Sequence, residues 1–380
     1  MAISQKVNEA LLRVLFFLPD LDGGGAQRTI INIANALSRR GIEASLAAVR
    51  VDGPARAWLN KDVDLVDLGA GRIRHSVLPL RRAIKSIRPD VLFSTIIDAN
   101  IVAALATVGL IRKPKLILRE TNSLRARGDV GSIRWRLAAW AYPRADIVIA
   151  LSSGVERELA EDFNLCPDRL LTVSNPVDVA AARTKASLLD TIISGWGGYT
   201  LVAAGRLHRQ KGFDLLIQSI AELKRRDIRI VILGDGPEEA ALRRQVAQMN
   251  MSDRVEFTGF LDNPYPWLAA ADLFVLPSRW EGFGHVIVEA MSVGTPVIAA
   301  DCPHGPADII EDGVDGRLTL VEDPVALGTA IEAMLSDPKS LLRFSEKAVI
   351  KAEQFDVETI VEQYLALFKH MNIPRERNQH

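Results

Sequence analysis

Two glutamates with seven residues between them flank a glycine-rich turn in Ser278-Arg279-Trp280-Glu281-Gly282-Phe283-Gly284-His285-Val286-Ile287-Val288-Glu289. Carboxylates accept hydrogen bonds from hydroxyl groups, so two of them spaced along one segment suit an extended, hydroxyl-rich ligand. Gly282 and Gly284 let the backbone turn sharply, and the N–H groups of Gly284, His285 and Val286 would open the helix that follows, a place that attracts anions. An ordinary capped helix with a solvated glutamate would use the same residues, so the segment needs a partner before it means chemistry. Gly205-Arg206-Leu207-His208-Arg209-Gln210-Lys211-Gly212-Phe213-Asp214 supplies one, because Arg206 and Lys211 are fixed cations. An arginine fork and a lysine point charge neutralise a diphosphate as its ester bond breaks. Alone, that loop reads more readily as a basic surface loop; together with the Glu281 segment the preference reverses, and the two point to a sugar-like ligand carrying a diphosphate.

Both segments need the same kind of support. Each follows an apolar run, Thr200 to Ala204 and Leu273 to Leu276, that reads as a buried parallel strand, and each precedes a helical pattern. The carboxyl ends of such strands are where open α/β sheets bind ligands. Gly23-Gly24-Gly25 occupies an equivalent place, after the run Arg13 to Leu18 and before a helix bearing Ile30, Ile31, Ile33, Ala34 and Leu37, without the spacing of a dinucleotide fingerprint. Asp20 and Asp22 read there as caps of the turn. Strand and helix patterns alternate along the chain, which predicts doubly wound sheets. The first half should hold strands at Arg13–Leu18, Ala44–Val49, Val63–Leu68, Val91–Ser94, Leu116–Leu118, Ile147–Ala150 and Leu170–Val173. Asn175-Pro176 breaks the pattern, residues 177–198 read as a connection, and alternation resumes at Tyr199. The expected division is 1–176, a linker at 177–198, and 199–356, with a last helical run from Val357 to Met371 and a frayed tail from Pro374 to His380.

A chain of 380 residues is longer than one core usually serves, so two domains are expected. The net charge of −1 hides an asymmetry: residues 1–190 carry 27 basic and 20 acidic side chains, residues 191–380 carry 19 and 27. Positions 68–144 are sharper still, with fifteen basic and four acidic side chains. There Arg72, Arg74, Arg81, Arg82, Lys85 and Arg88 flank Val77, Leu78, Leu80 and Ile84, and Arg134, Arg136 and Arg144 interleave with Trp135, Trp140 and Tyr142. Cations mixed with Trp and Leu at helical spacing favour an anionic membrane surface. No zinc finger, basic zipper or RNA-binding signature accompanies them, which argues against nucleic acid.

Cys166 and Cys302 are too few and too scattered for a disulfide framework, and Met1 to Lys6 has no apolar signal core, so a cytoplasmic location is expected. The stretch Ile101 to Ile111 is too short to span a bilayer and reads as a buried helix. Asp62-Val63-Asp64 has the D-x-D form that can hold a divalent ion, yet it runs on into Leu65-Val66-Asp67-Leu68 like a half-exposed strand and reads as structural. The six histidines lack metal-ligand spacing. Neither a metal nor a cofactor is expected.

The order of these segments resembles the family 4 glycosyltransferases of the GT-B fold. The likeness includes the Gly23–Gly25 loop, the Arg206 and Lys211 loop, Gly234-Asp235-Gly236-Pro237, Val255-Glu256-Phe257-Thr258-Gly259-Phe260, Ala271 to Ser278, the spaced glutamates, and Gly294-Thr295-Pro296-Val297-Ile298-Ala299. It implies two Rossmann-like domains facing a central cleft, with the C-terminal helix (about 357–380) completing the first. It implies retaining, metal-independent transfer of a hexosyl or N-acetylhexosaminyl unit from a nucleotide diphosphate sugar, a UDP sugar by preference with GDP-mannose as the competing donor, to a saccharide hydroxyl. Glu289 would hold the ribose hydroxyls, Glu281 with the backbone of Gly284, His285 and Val286 the transferred sugar and diphosphate, and Arg206 with Lys211 the departing phosphates. Gly24 and Gly25 would approach the ligand through their backbone.

One departure matters. Many relatives place a histidine after the strand that here ends Leu118-Arg119-Glu120-Thr121-Asn122. The motif here, together with Asp301-Cys302-Pro303-His304-Gly305-Pro306-Ala307-Asp308, is similar to the branch that extends lipid-linked or capsular saccharides. Glu120 or Asn122 then becomes the expected acceptor-side contact, and the inner face of the cell membrane the expected place of work. A non-hydrolysing sugar-nucleotide epimerase of the same fold, or a catalytically silent membrane-docked protein, remains open at this point. The intact Arg206, Lys211, Glu281 and Glu289 weigh against the latter.

Overall fold

The computed structural model describes residues 12–125, 128, 130–187 and 196–371. The tail expected to fray, and part of the expected connection, lie outside these residues. Seven short apolar runs form a parallel sheet: β1 (Arg13–Leu18), β2 (Glu43–Ala48), β3 (Asp64–Asp67), β4 (Val91–Thr95), β5 (Lys115–Arg119), β6 (Ile147–Ala150) and β7 (Leu170–Thr172), in the order β3-β2-β1-β4-β5-β6-β7. Six more form a second one: β8 (Tyr199–Ala204), β9 (Ile228–Leu233), β10 (Val255–Gly259), β11 (Leu273–Leu276), β12 (Val297–Ala300) and β13 (Arg317–Thr319), in the order β10-β9-β8-β11-β12-β13. Every named pairing is parallel. Parallel strands are covered on both faces by their crossover helices, which is why the central ones are continuous runs of Val, Ile, Leu and Phe rather than alternations.

The chain forms two compact units, residues 1–150 with 156–176 and 360–380, and residues 151–155 with 177–359. In the first, the helix Gly25–Arg39 buries Ile30, Ile31, Ile33, Ala34 and Leu37. Phe93 of β4 lies 5.3 Å from Phe16 and 5.6 Å from Tyr364, ring centre to ring centre, and so docks the helix Val357–His370 onto the sheet. Arg119, at the end of β5, is wholly buried, donating to Thr95 Oγ1 at 3.3 Å and to Asn175 Oδ1. Burial pushes its pKa down, with Tyr364 opposing. Thr29 Oγ1 donates to the same Asn175 oxygen at 3.3 Å. The glycine-loop helix and the end of β5 thus share one buried polar anchor.

The structure refines three expectations. Residues 177–198, read as a connection, contain the helix Val179–Ala186, capped by Asp178 accepting from the Ala181 N–H at 2.8 Å, while Val177 bridges to Asp356. The apolar stretch from Ile101 is helical only as part of Ile97–Thr107; Gly109 at φ +67° has already turned the chain outward, and Ile111 is fully exposed. Asp64 and Asp67 bound β3, with Asp62 just before it.

Candidate functional site

In the second sheet the strand order reverses between β8 and β11, which are hydrogen-bonded neighbours. At such a switch point the loops leaving the two strands diverge and open a crevice above their carboxyl ends. The loop after β8 carries Arg206, exposed, and a short helical turn, Arg209–Lys211, started by His208 Nδ1 accepting from the Gln210 N–H at 3.2 Å. The Leu207 N–H donates to the Asp235 carbonyl at 2.7 Å, which fixes the loop beside Arg206. Gly212 then adopts φ +65°, and a Cβ there would lie 2.0 Å from the Pro277 carbonyl oxygen. Only glycine lets the two loops touch at this point.

The contact brings Lys211 to Glu281. Lys211 Nζ lies 2.6 Å from Glu281 Oε1, and Ser278 Oγ donates to the same oxygen at 2.7 Å. The Glu281 side chain is 7% exposed and that of Lys211 18%, so this is a shielded pair. Three residues on, Gly284 at φ +91° swings the chain into the helix His285–Ser292. The Ile287 N–H closes back on the Gly284 carbonyl at 2.8 Å, which fixes the helix start. Glu289, one turn into the helix, is 6% exposed; Tyr265 donates its hydroxyl to Glu289 Oε1 at 3.3 Å, and His285 Nε2 lies 3.7 Å from that oxygen. The segment therefore presents, in sequence, a cation–carboxylate pair, a helix start and a second carboxylate.

Cys302, just beyond β12, is buried next to this pair. Burial pushes its thiol up to about 12, with the Glu281 charge adding to the effect and Lys211 opposing it. The thiol is thus a packing group at neutral pH.

Arg206, Lys211, Glu281, Gly284, His285, Val286 and Glu289 belong to the second unit, and Gly24, Gly25, Glu120 and Asn122 to the first. Gly24 precedes the helix Gly25–Arg39 without a side-chain cap, and a Cβ on Gly25 would meet nothing within 4 Å. Asp20 caps the preceding turn, accepting from the Asp22 N–H at 3.2 Å and from Gln27 Nε2 at 2.7 Å. Glu120 is wholly buried: the Tyr142 hydroxyl donates to one carboxylate oxygen and the Thr121 N–H to the other at 2.9 Å. Asn122 is half-buried and accepts from the Ser123 N–H at 2.9 Å. Among the described residues no three His, Cys, Asp or Glu side chains are grouped as metal ligands. A cavity of about 630 Å³ in the first unit, lined by Lys115, Asp146, Leu171 and Leu367 among others, contains none of these residues.

Two residues of the site escaped sequence reasoning. Ser278 sits three positions before Glu281, a spacing that signals a side-chain contact only once the turn is known. Tyr265 reaches Glu289 from another helix, and nothing local in the sequence marks it.

Comparison with known proteins bears on both halves. Residues 23–181 match the family model described as Glycosyltransferase Family 4, and residues 198–337 match the one described as Glycosyl transferases group 1. The chain is 29% identical over 224 residues to the N-acetylgalactosamine-N,N'-diacetylbacillosaminyl-diphospho-undecaprenol 4-alpha-N-acetylgalactosaminyltransferase of Campylobacter jejuni, a match spanning 58% of this chain and 59% of that protein. It is 28% identical to the lipopolysaccharide core biosynthesis glycosyltransferase LpsE of Rhizobium meliloti, over 90% of this chain and 95% of that one. The crystal structure of Anabaena Alr3699/HepE in complex with UDP and glucose superposes with a TM-score of 0.82 at 24% identity, covering 94% of this chain and 99% of that one, which bears on the fold.

The buried Cys302 and exposed Cys166 lead to a simple expectation. A disulfide reagent such as DTNB at pH 8 should modify Cys166 rapidly in the native protein and Cys302 only after denaturation. Two fast thiols in the native protein would contradict the packing described around the Lys211–Glu281 pair.

Proposed function

The chain belongs to the family 4 glycosyltransferases of the GT-B fold, and from that premise we propose that it transfers a hexosyl or N-acetylhexosaminyl group from a UDP sugar to a saccharide hydroxyl on a lipid-linked or cell-surface glycan precursor, with retention at the anomeric carbon. The observation that carries this reading is the Lys211–Glu281 pair at the switch point, followed at once by the helix start at Gly284 and by Glu289 one turn further on. A nucleotide sugar has the same succession of groups. Arg206 and Lys211 take the departing diphosphate, Lys211 keeping further N–H protons for phosphate oxygens beside the one directed at Glu281. Glu281 and the N–H groups at Gly284, His285 and Val286 hold the sugar and the diphosphate; Glu289, oriented by Tyr265, holds the ribose hydroxyls. With retention, the acceptor attacks from the face the leaving group departs, and the departing phosphate oxygen takes the acceptor proton. The reaction so written needs neither a separate general base nor a metal.

In the first unit, Gly24 and Gly25 present backbone at a helix start without a side-chain cap, and Asn122 is the candidate acceptor contact. Glu120, enclosed by Tyr142, acts by holding the end of β5.

The acceptor class is supported by the surface of the first unit. The helices Val77–Ile87, Ile97–Thr107 and Ile133–Ala141 pack side by side. Leu78, Ile111, Ile133 and Leu137 are exposed on and beside them, among exposed Arg74, Arg82, Lys85, Arg112, Lys113 and Arg136. Trp135 and Trp140 contribute less than the sequence pattern implies: both are half-buried, Trp135 against Phe163 with ring centres 5.0 Å apart, and Trp140 beneath the Arg144 guanidinium at 4.3 Å. Leucine and isoleucine are therefore the apolar anchors of a surface suited to anionic lipid. Among the described residues no helix is long and apolar enough to cross a membrane.

Calorimetry tests the donor assignment. Glu289→Ala should weaken UDP and UDP-sugar binding alike, by roughly 10-fold or more, the scale of losing hydrogen bonds to a charged group. Glu281→Ala should weaken the sugar nucleotide far more than UDP. The reverse pattern would mean the ligand lies the other way round.

Vesicle flotation tests the surface. The protein should bind liposomes containing phosphatidylglycerol at low ionic strength and be released only in part by salt, since each basic residue near such a surface contributes about 1 kcal/mol that salt screens. Ile133→Ser with Leu137→Ser should convert partial release into full release. Indifference to these vesicles at low salt would favour a soluble saccharide acceptor.

A further inference from the structure

Arg279 lies between Ser278 and Glu281 and points away from the carboxylate that its neighbours serve. Its NH1 and NH2 groups donate to the two carboxylate oxygens of Asp214 at 2.8 and 2.7 Å, a bidentate fork. NH1 also donates to the Arg209 carbonyl at 2.9 Å, and Nε to Glu322 Oε1 at 2.7 Å. Its backbone N–H donates to the Gln210 carbonyl at 2.7 Å, and Gln210 Nε2 returns a bond to the Trp280 carbonyl at 2.9 Å. The side chain is only 12% exposed. Burial alone would raise the Asp214 carboxyl's pKa, yet the Arg279 fork holds it below its ordinary value.

The partners are not scattered. Arg209, Gln210 and Asp214 all lie on the loop that carries Lys211, Asp214 being in the first turn of the helix Phe213–Glu222. Glu322 follows β13 and sits at φ +56°, an uncommon conformation for a non-glycine residue, and accepts the bond from Arg279. One planar guanidinium therefore ties three segments together, two residues from Glu281 on one side and three from Lys211 on the other. A lysine in its place has no planar fork and cannot make the bidentate bond to Asp214.

We infer that Arg279 is a positioning residue for the transfer reaction, holding the Lys211 loop and the Glu281 loop in the register that sets the 2.6 Å approach of Lys211 Nζ to Glu281 Oε1. Its guanidinium nitrogens are all bonded to protein acceptors, so it acts through Lys211 and Glu281. The inference rests on the role proposed above for that pair.

The experiment is a double-mutant cycle read by UDP release from UDP-glucose, UDP-N-acetylglucosamine and UDP-N-acetylgalactosamine, with UDP affinity measured in parallel. Arg279→Lys should lower turnover by roughly 10-fold or more, because small misplacements of catalytic groups are costly, while UDP affinity, held also at Glu289, falls by a smaller factor. In a Lys211→Ala background the same substitution should change turnover by less than about twofold, since the group it positions is gone. Asp214→Asn, which breaks the fork from the opposite side and leaves Arg279 in place, should reproduce the loss, and it carries the test if Arg279→Lys folds poorly. Full turnover in both single variants, or losses that multiply with that of Lys211→Ala, would overturn the positioning role. If Lys211→Ala itself turns over normally, or if the unaltered protein releases UDP from none of the three donors, the diphosphate reading fails, and the inference with it.

Discussion

The site depends on one shielded ion pair. Lys211 and Glu281 come from loops seventy residues apart in the chain, and their side chains are 18% and 7% exposed. Removing two charges from water costs several kcal/mol each, and their attraction offsets this only when the geometry is good and further hydrogen bonds are made. Here the Ser278 hydroxyl supplies a further bond, and the Gly212–Pro277 contact fixes the approach. Truncating either partner strands the other in a low-dielectric wall, a loss on the order of 3–5 kcal/mol. Such a pair is poor as a stability device, but its two charges are held in fixed positions, as a preorganised charge array requires.

The pair exists because of topology. Adjacent strands β8 and β11 are separated in sequence by β9 and β10, and the chain returns to pair beside its own first strand. That return sets a loop carrying Arg206, Arg209 and Lys211 beside a loop carrying Arg279 and Glu281, above the middle of the sheet, with Glu289 in the helix beyond. The first unit repeats the design between β1 and β4, where the glycine loop follows β1, and its buried Arg119–Asn175–Thr29 anchor ties that loop's helix to β5. In each unit a largely apolar sheet carries a polar rim whose bonds run between loops.

Much of this was legible in the sequence, for a physical reason. Parallel strands buried on both faces appear as short apolar runs, so most strands fell within a residue or two of their expected ends, and the glycine-bearing segments after them marked the crevice. The edge strand β13 is three residues long, Arg-Leu-Thr, and gives no such signal. The helix Val179–Ala186 has little amphipathic contrast and follows a proline, so it read as a connection. Expectations about side chains were less secure than those about strands, because a carboxylate's neighbours come from distant segments. Glu120 looked available at a strand end and is enclosed by Tyr142; Trp135 looked like a membrane anchor and packs on Phe163. Ser278, Tyr265 and the Arg279 fork became visible only when the loops were brought together.

Stereochemistry is the most direct test of the central claim, that departing phosphate held by Arg206 and Lys211 serves as the base for attack on the same face. Proton NMR of a reaction with an α-linked UDP sugar, followed before the free sugar can mutarotate, distinguishes the two outcomes by the anomeric coupling of the first product. The account predicts an α-configured product. A β-configured product would require a base on the opposite face of the sugar and would contradict it.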